Sequence, residues 1–226
     1  IEFLWVENTK EFKKAHRTQP YLEQFKKYPA PYGYGFESSD VQKFHASLVK
    51  RGFKVPAVSS RGPADAKEGS EPWWSFQYFP KNFIPGVLPF ALTYEFQRGK
   101  KSIRKLQKGP NALCDIEGIT FVSTTPLRDA KKWKDVFAPK ARLSASKEKI
   151  TFKLGFHMLT WMTSKQYKAQ YSVSPYMHPS GKFASMRKTA LLHVGSSNIA
   201  RTKKFLEQAG WNVRTIQVAG KERLYV

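Results

Sequence analysis

Hydrophobic and polar positions alternate through the first residues, IEFLWVEN. Ile1, Phe3 and Trp5 fall on one side, and Glu2, Leu4 and Val6 on the other, which predicts a strand. A chain seldom opens so abruptly on an apolar strand, so further sequence before Ile1 is expected. Residues 7–30 are polar and lysine-rich and read as helix or loop. Tyr34 and Phe36 then mark a strand, and Ser38, Ser39 and Asp40 offer a helix N-cap. Val41, Phe44, Leu48 and Val49 recur at helical spacing, and Gly52 supplies the stop. A strand is expected at Phe53 and Val55, and a polar loop from Ser59 to Glu71. WWSFQYF alternates next, with Trp74, Phe76 and Tyr78 opposite Trp73, Ser75, Gln77 and Phe79. LPFALTYEF follows, with Leu88, Phe90, Leu92, Tyr94 and Phe96 opposite Pro89, Ala91, Thr93 and Glu95. The order is strand, helix, strand, strand, strand.

A basic, polar segment over 97–111 reads as a linker, ending at Gly109-Pro110. The pattern then restarts. IEGITFVSTTP reads as strand, LRDAKKWKDVF as helix and ITFKLGFHMLTWM as a long strand or hairpin. Residues 163–187 are polar, and the last segment from Ala190 reads as strand, helix, strand, turn, strand. Two units align without a gap. Ser38-Ser39-Asp40-Val41 sits over Ser196-Ser197-Asn198-Ile199, Leu48 over Leu206, Gly52 over Gly210, Phe53 over Trp211 and Val55 over Val213. A weaker copy passes through Val122-Ser123-Thr124-Thr125 and Trp133. Such self-similarity predicts a duplicated supersecondary unit. The expected division is a first unit over 1–96, a linker over 97–111 and a second, shorter unit over 112–226.

Composition narrows the classes. No apolar run is long enough to span a bilayer, and no signal peptide is visible at the start. The lone cysteine, Cys114, has no partner for an internal disulfide, so a cytoplasmic, reducing setting is expected. The 39 Lys+Arg against 17 Asp+Glu give a net charge of +22, which favours anionic partners. Nucleic acid is the weaker choice among these. The cations are spread along the chain, and neither short patch (Arg98, Lys100, Lys101, Arg104, Lys105 and Lys108 in one, Lys131, Lys132 and Lys134 in the other) carries an RNA-binding motif; Arg98, Lys101, Arg104 and Lys105 would be the phosphate contacts. No GxSxG, Walker or dinucleotide glycine motif is present.

The βαβββ order, its duplication and the strands IEFLWVEN and LPFALTYEF resemble the vicinal oxygen chelate superfamily, and within it the bacterial glyoxalase-like domain proteins. The resemblance implies an α+β fold of repeated βαβββ modules forming cupped mixed sheets. It makes Ile1–Asn8 the last strand of a module whose earlier elements lie outside this sequence. It also implies a cavity holding a divalent metal (Fe, Mn, Ni or Zn) on inward-facing imidazole and carboxylate. Glu2 and Glu95 match the last-strand glutamates, and Glu95 would be the proton-moving group. From the strand faces, Glu2, Trp73, Gln77, Thr93 and Glu95 are expected to line the first unit's cavity around a small, acidic ligand. This sequence departs from the family pattern at YGYGF, which has no His or Gln on the module's first strand. His157 and His193 lie on strands of the second unit without completing a ligand set. A metal-dependent isomerase, lyase or dioxygenase and a metal-free binding or resistance-type protein therefore both stay open. The same reading involves no membrane and leaves homodimerisation open.

Overall fold

The computed structural model describes residues 33–61, 74–79, 83, 88–94, 112–137, 139, 142–155, 157–172, 188–208, 213–218 and 221–225. They form an α+β protein with two mixed sheets. The first sheet is built from β1 (Gly33–Glu37), α1 (Val41–Lys50), β2 (Ser59–Arg61), β3 (Trp74–Tyr78) and β4 (Leu88–Tyr94). Its strand order is β1-β4-β3-β2, with β1 parallel to β4 and the other pairs antiparallel. Helix α1 begins where expected. The Asp40 side chain accepts from Lys43 N at 3.0 Å, and Asp40 N donates to Ser38 Oγ at 3.3 Å. It ends at Gly52, whose φ of +83° suits glycine.

The second sheet has seven strands in the order β10-β11-β9-β5-β8-β7-β6. Its elements are β5 (Leu113–Val122), α2 (Pro126–Phe137), β6 (Leu143–Ala145), β7 (Ile150–Leu154), β8 (His157–Met162), α3 (Ser164–Tyr171), β9 (Lys188–Ser196), α4 (Ile199–Gln208), β10 (Arg214–Val218) and β11 (Lys221–Tyr225). The run β5, α2, β6, β7, β8 has the strand order and pairing of the first sheet, with β5 parallel to β8. Strand β9 joins antiparallel along the other edge of β5. The helix starts repeat in geometry as well as in sequence. Arg201 N donates to Asn198 Oδ1 at 2.9 Å and Asn198 N to Ser196 Oγ at 3.0 Å. At the third start, Thr125 N donates to Ser123 Oγ at 2.9 Å.

Three expectations change. Phe53 and Val55 form no strand; they pack beside Leu48, Phe79 and Val136 instead. The strand comes later, at Ser59–Arg61, inside the stretch read as loop, where pairing with β3 outweighs polar composition. The polar segment after Thr163 opens with helix α3. A capping box closes its first turn: Gln166 N donates to Thr163 Oγ1 at 3.2 Å, and Thr163 N to Gln166 Oε1 at 2.7 Å. Its buried Tyr167 and Tyr171, four residues apart, hold it down.

The two sheets share one apolar layer. Strand registers place Tyr34, Phe36, Ser75, Gln77, Ala91 and Thr93 on one face of the first sheet. Tyr34 and Phe36 join Phe121, Trp133, Trp161, Leu206 and Leu224 of the second half in a single core. Helix α1 is tied to α2 by Arg51, which donates to the carbonyls of Asp135 and Val136 and satisfies the end of that helix. The second sheet therefore covers its inner face with α2 and α4, and packs Tyr167 and Tyr171 of α3 against its other face. No helix among the described residues is long and apolar enough to cross a membrane.

Candidate functional site

Among the sequence-predicted site residues, Glu2, Trp73 and Glu95 lie outside the described residues, as do Arg98, Lys101, Arg104 and Lys105. Gln77 and Thr93 are described, and both sit beneath α1 rather than beside an open cavity. Gln77 is fully buried. Its Oε1 is 2.5 Å from His45 Nδ1, and its Nε2 donates to the carbonyls of Pro56 and Tyr78 at 2.7 and 2.6 Å. The Thr93 hydroxyl donates to Ser38 O at 2.8 Å and accepts from Val41 N at 2.9 Å. These groups are spent on holding the helix to the sheet. The opposite face carries the aromatic residues, with Phe76 4.9 Å from Trp74 and 4.8 Å from Tyr78. Thr93→Val keeps the shape of the side chain but strips partners from two backbone groups. It is expected to cost about 1–3 kcal/mol by urea denaturation, and a loss below about 0.5 kcal/mol would refute the capping role.

The polar groups that converge are on the outer face of the second sheet. Registers put Thr151, Thr160 and Thr120 in one row across β7, β8 and β5. Thr120 is fully buried and Thr160 nearly so. On the adjoining strand β9, His193 Nε2 lies 2.7 Å from Thr120 Oγ1. Tyr225 of β11 meets the imidazole edge to face at 4.8 Å, and Tyr171 of α3 lies 6.0 Å from the Tyr225 ring. Thr120 also acts on the Tyr171 hydroxyl. Val122, Met162, Tyr167, Tyr171, Leu191 and Tyr225 form an apolar cluster on this face, with α3 over it.

Electrostatics makes the floor of this face neutral. Burial, helped by the charges of Lys149 and Arg223, pushes the His193 pKa down to about 4. Burial pushes Tyr167 and Tyr225 up to about 12 and raises Tyr171. At neutral pH the floor therefore offers an uncharged imidazole and protonated hydroxyls. Among the described residues, no group bonds His193 Nδ1. At the rim, Arg223 pairs with Glu117, both side chains about two-fifths exposed. The two stand on strands β11 and β5, with β9 between them. Gly195 of β9 leaves the gap: a Cβ there would lie 3.2 Å from Glu117 Cγ.

The low His193 pKa carries a sign for stability. Between about pH 6.5 and 4 the unfolded chain takes up a proton that the native imidazole refuses, so stability falls as pH drops through that window. The loss is expected to be on the order of 2 kcal/mol and to disappear in His193→Gln. Parallel pH–stability curves for the two proteins would contradict it.

The remaining chemistry-bearing residues do not assemble. His157 Nδ1 is 2.6 Å from Ile116 O, which gives it a structural partner, and Cys114 Sγ reaches only Ala112 O at 3.6 Å. Among the described residues, no group of three or more His, Cys, Asp or Glu could hold a metal ion. The two glutamates expected as metal ligands, Glu2 and Glu95, lie outside the described residues. Sequence reasoning also passed over Thr120, Thr151, Thr160, Tyr171 and Tyr225. Each looks like an ordinary strand or helix residue until the strand register aligns them. The i,i+4 pair Tyr167/Tyr171 was the one visible signal.

No family model matches the chain, and no curated protein matches it. Among solved structures, the chain is similar to a hypothetical protein from Staphylococcus aureus. The identity is 15%, the likeness covers 97% of this chain and 77% of that one, and the TM-score is 0.56. At that identity the likeness shows the fold alone.

Proposed function

We propose that this chain is a divergent glyoxalase-like protein of the cytoplasm that binds a small molecule on the outer face of its seven-stranded sheet. The strand order repeated in β1–β4 and β5–β8, and the edge pairing of β5 with β9, support the family reading. The observation that carries the site is the row Thr151, Thr160, Thr120 and His193. Buried hydroxyls and an imidazole cost desolvation, and here they line a face turned away from the helical layer between the sheets. A neutral imidazole with one nitrogen held by a hydroxyl and the other unbonded by any described residue suits ligand orientation or proton transfer at that nitrogen.

Binding and catalysis share this geometry, and the described residues support the binding half. The test is a thermal-shift survey of small organic acids, alcohols and amines on the full chain, repeated with Thr120→Val and His193→Leu. A ligand that raises the melting temperature of the wild type and of neither variant supports the site. A ligand that stabilises all three proteins equally refutes it. Metal analysis with Glu95→Ala alongside separates the two activities, since stoichiometric Fe, Mn, Ni or Zn lost in that variant would make the protein a metalloenzyme.

A further inference from the structure

We propose that the exposed flank of helix α2 is a binding surface for the phosphate backbone of a nucleic acid, with Arg128 and Lys131 as its contacts. This is a second surface, on a different element from the small-molecule face.

The flank is hollowed. A groove of about 570 Å³ runs along α2, lined by Pro126, Leu127, Arg128, Lys131, Lys132 and Asp135. These positions recur at three- and four-residue spacing, so they share one side of the helix. Arg128 and Lys131 are exposed, and Leu127 is 45% exposed. The opposite side is locked inward: Ala130, Trp133 and Val136 are fully buried. The helix therefore cannot turn its cations away from the groove.

The acids of α2 do not cancel these cations. Asp129 is buried, and its carboxylate accepts from the Ser123 hydroxyl. Asp135 pairs with Lys134 at 3.7 Å. Arg51, brought over from the end of α1, donates to the carbonyls of Asp135 and Val136 and so covers the negative end of the helix. Lys132 is held over the groove by the Phe83 carbonyl at 3.2 Å. Among the described residues, no carboxylate pairs with Arg128 or Lys131. The surface keeps positive charge that the fold has not used.

The shape of that charge selects the partner. From Arg128 to Asp135 the helix rises about 10 Å, and a duplex strand presents about three phosphates over that length. A guanidinium matches a phosphate in a two-point fork, and an ammonium adds a point charge beside it. Pro126 and Leu127 offer apolar contact to the sugars between phosphates. The net charge of +22 draws a polyanion to the whole protein, and the groove gives it a place. Sequence spacing hid this arrangement, since Lys131, Lys132 and Lys134 alone make a short patch. The fold adds Arg128 to one side of it and Arg51 to the end.

The test is fluorescence anisotropy of the full chain with a labelled DNA single strand of about 20 nucleotides and its duplex, between about 20 and 150 mM salt. Binding at low salt is expected, weakening steeply as salt rises. Arg128→Gln combined with Lys131→Gln is expected to cut affinity about tenfold at low salt and to lower the salt slope by about 1.4–1.8. The control pair Arg201→Gln with Lys204→Gln removes the same charge from exposed positions of α4 and is expected to cost less than about twofold. If the α2 pair does not fold, Lys131→Gln alone should lower the slope by about 0.7–0.9. Equal losses in the α2 and α4 variants would assign binding to the overall charge and overturn the proposal. So would a lack of binding at low salt. Displacement of the strand by polyglutamate at equal charge would make the partner an acidic protein segment and overturn the nucleic-acid assignment.

Discussion

Trp133→Ala is expected to destabilise the protein by about 3–5 kcal/mol, close to the whole stability of many domains. Trp133 is fully buried on α2, and its ring is the point where the two halves of the chain meet. It stacks on Phe137 at 5.3 Å and lies 5.3 Å from Phe121 and 6.0 Å from Trp161 of the second sheet. It meets Phe36 of the first sheet at 5.4 Å and Phe83 at 6.1 Å. Truncation leaves a void that several aromatic rings border, and rings held by their own neighbours collapse into it poorly. One offset limits the loss: among the described residues the buried indole Nε1 has no hydrogen-bond partner, a penalty that alanine removes. Trp133→Phe separates the terms, since it keeps most of the volume and deletes the unpaired N–H. It should cost less than about 2 kcal/mol. Urea denaturation followed by tryptophan fluorescence and by far-UV dichroism reads both variants. A cost below about 1 kcal/mol for Trp133→Ala would mean that the two sheets do not depend on this contact.

The elements were legible where local rules act alone. Asp40 and Asn198 cap their helices as the aligned SSDV and SSNI segments imply, and Gly52 takes the positive φ expected of a stop. The alternation in β3 and β4 was also read correctly as two faces. What the residues did not reveal was which face the helix covers. Gln77 and Thr93 look like cavity residues because they are polar on strands with an apolar opposite side. Their polarity serves helix α1 instead: Thr93 takes up Val41 N and Ser38 O, and Gln77 takes up His45 and Pro56. Polarity on a strand signals a partner, and here the partners were helix α1 and the chain that follows it. The threonine row was illegible for a different reason. Thr120, Thr151 and Thr160 come from strands that are not all neighbours in sequence, and only register brings them together with His193.

Gly118→Ala is expected to be as damaging as the loss of Trp133, although it adds one methyl group. Gly118 lies in β5 opposite Met158 of β8, at the parallel seam that joins β5 to the rest of its module. A Cβ at this position would fall onto the Met158 carbonyl oxygen, closer than real Cβ atoms come, and 3.2 Å from its carbon. The obstacle is backbone, so no rotamer change relieves it. Either the seam opens and loses ladder hydrogen bonds, or β5 shifts against the buried Ile119 and Phe121 beside it. A cost of about 3 kcal/mol or more follows, with amides of β5 and β8 losing protection from hydrogen exchange first. Two other glycines calibrate the claim. At Gly35 an added Cβ meets only side chains, Leu92 Cδ2 at 2.8 Å and the Phe90 ring at 3.1 Å, which can turn aside. At Gly155 nothing lies within 4 Å, and the cost is the φ of +61° alone, about 1 kcal/mol. The expected order of stability loss is Gly118→Ala well above Gly155→Ala and Gly35→Ala. Three alanine variants within about 1 kcal/mol of one another would show that the β5–β8 seam is looser than its geometry requires.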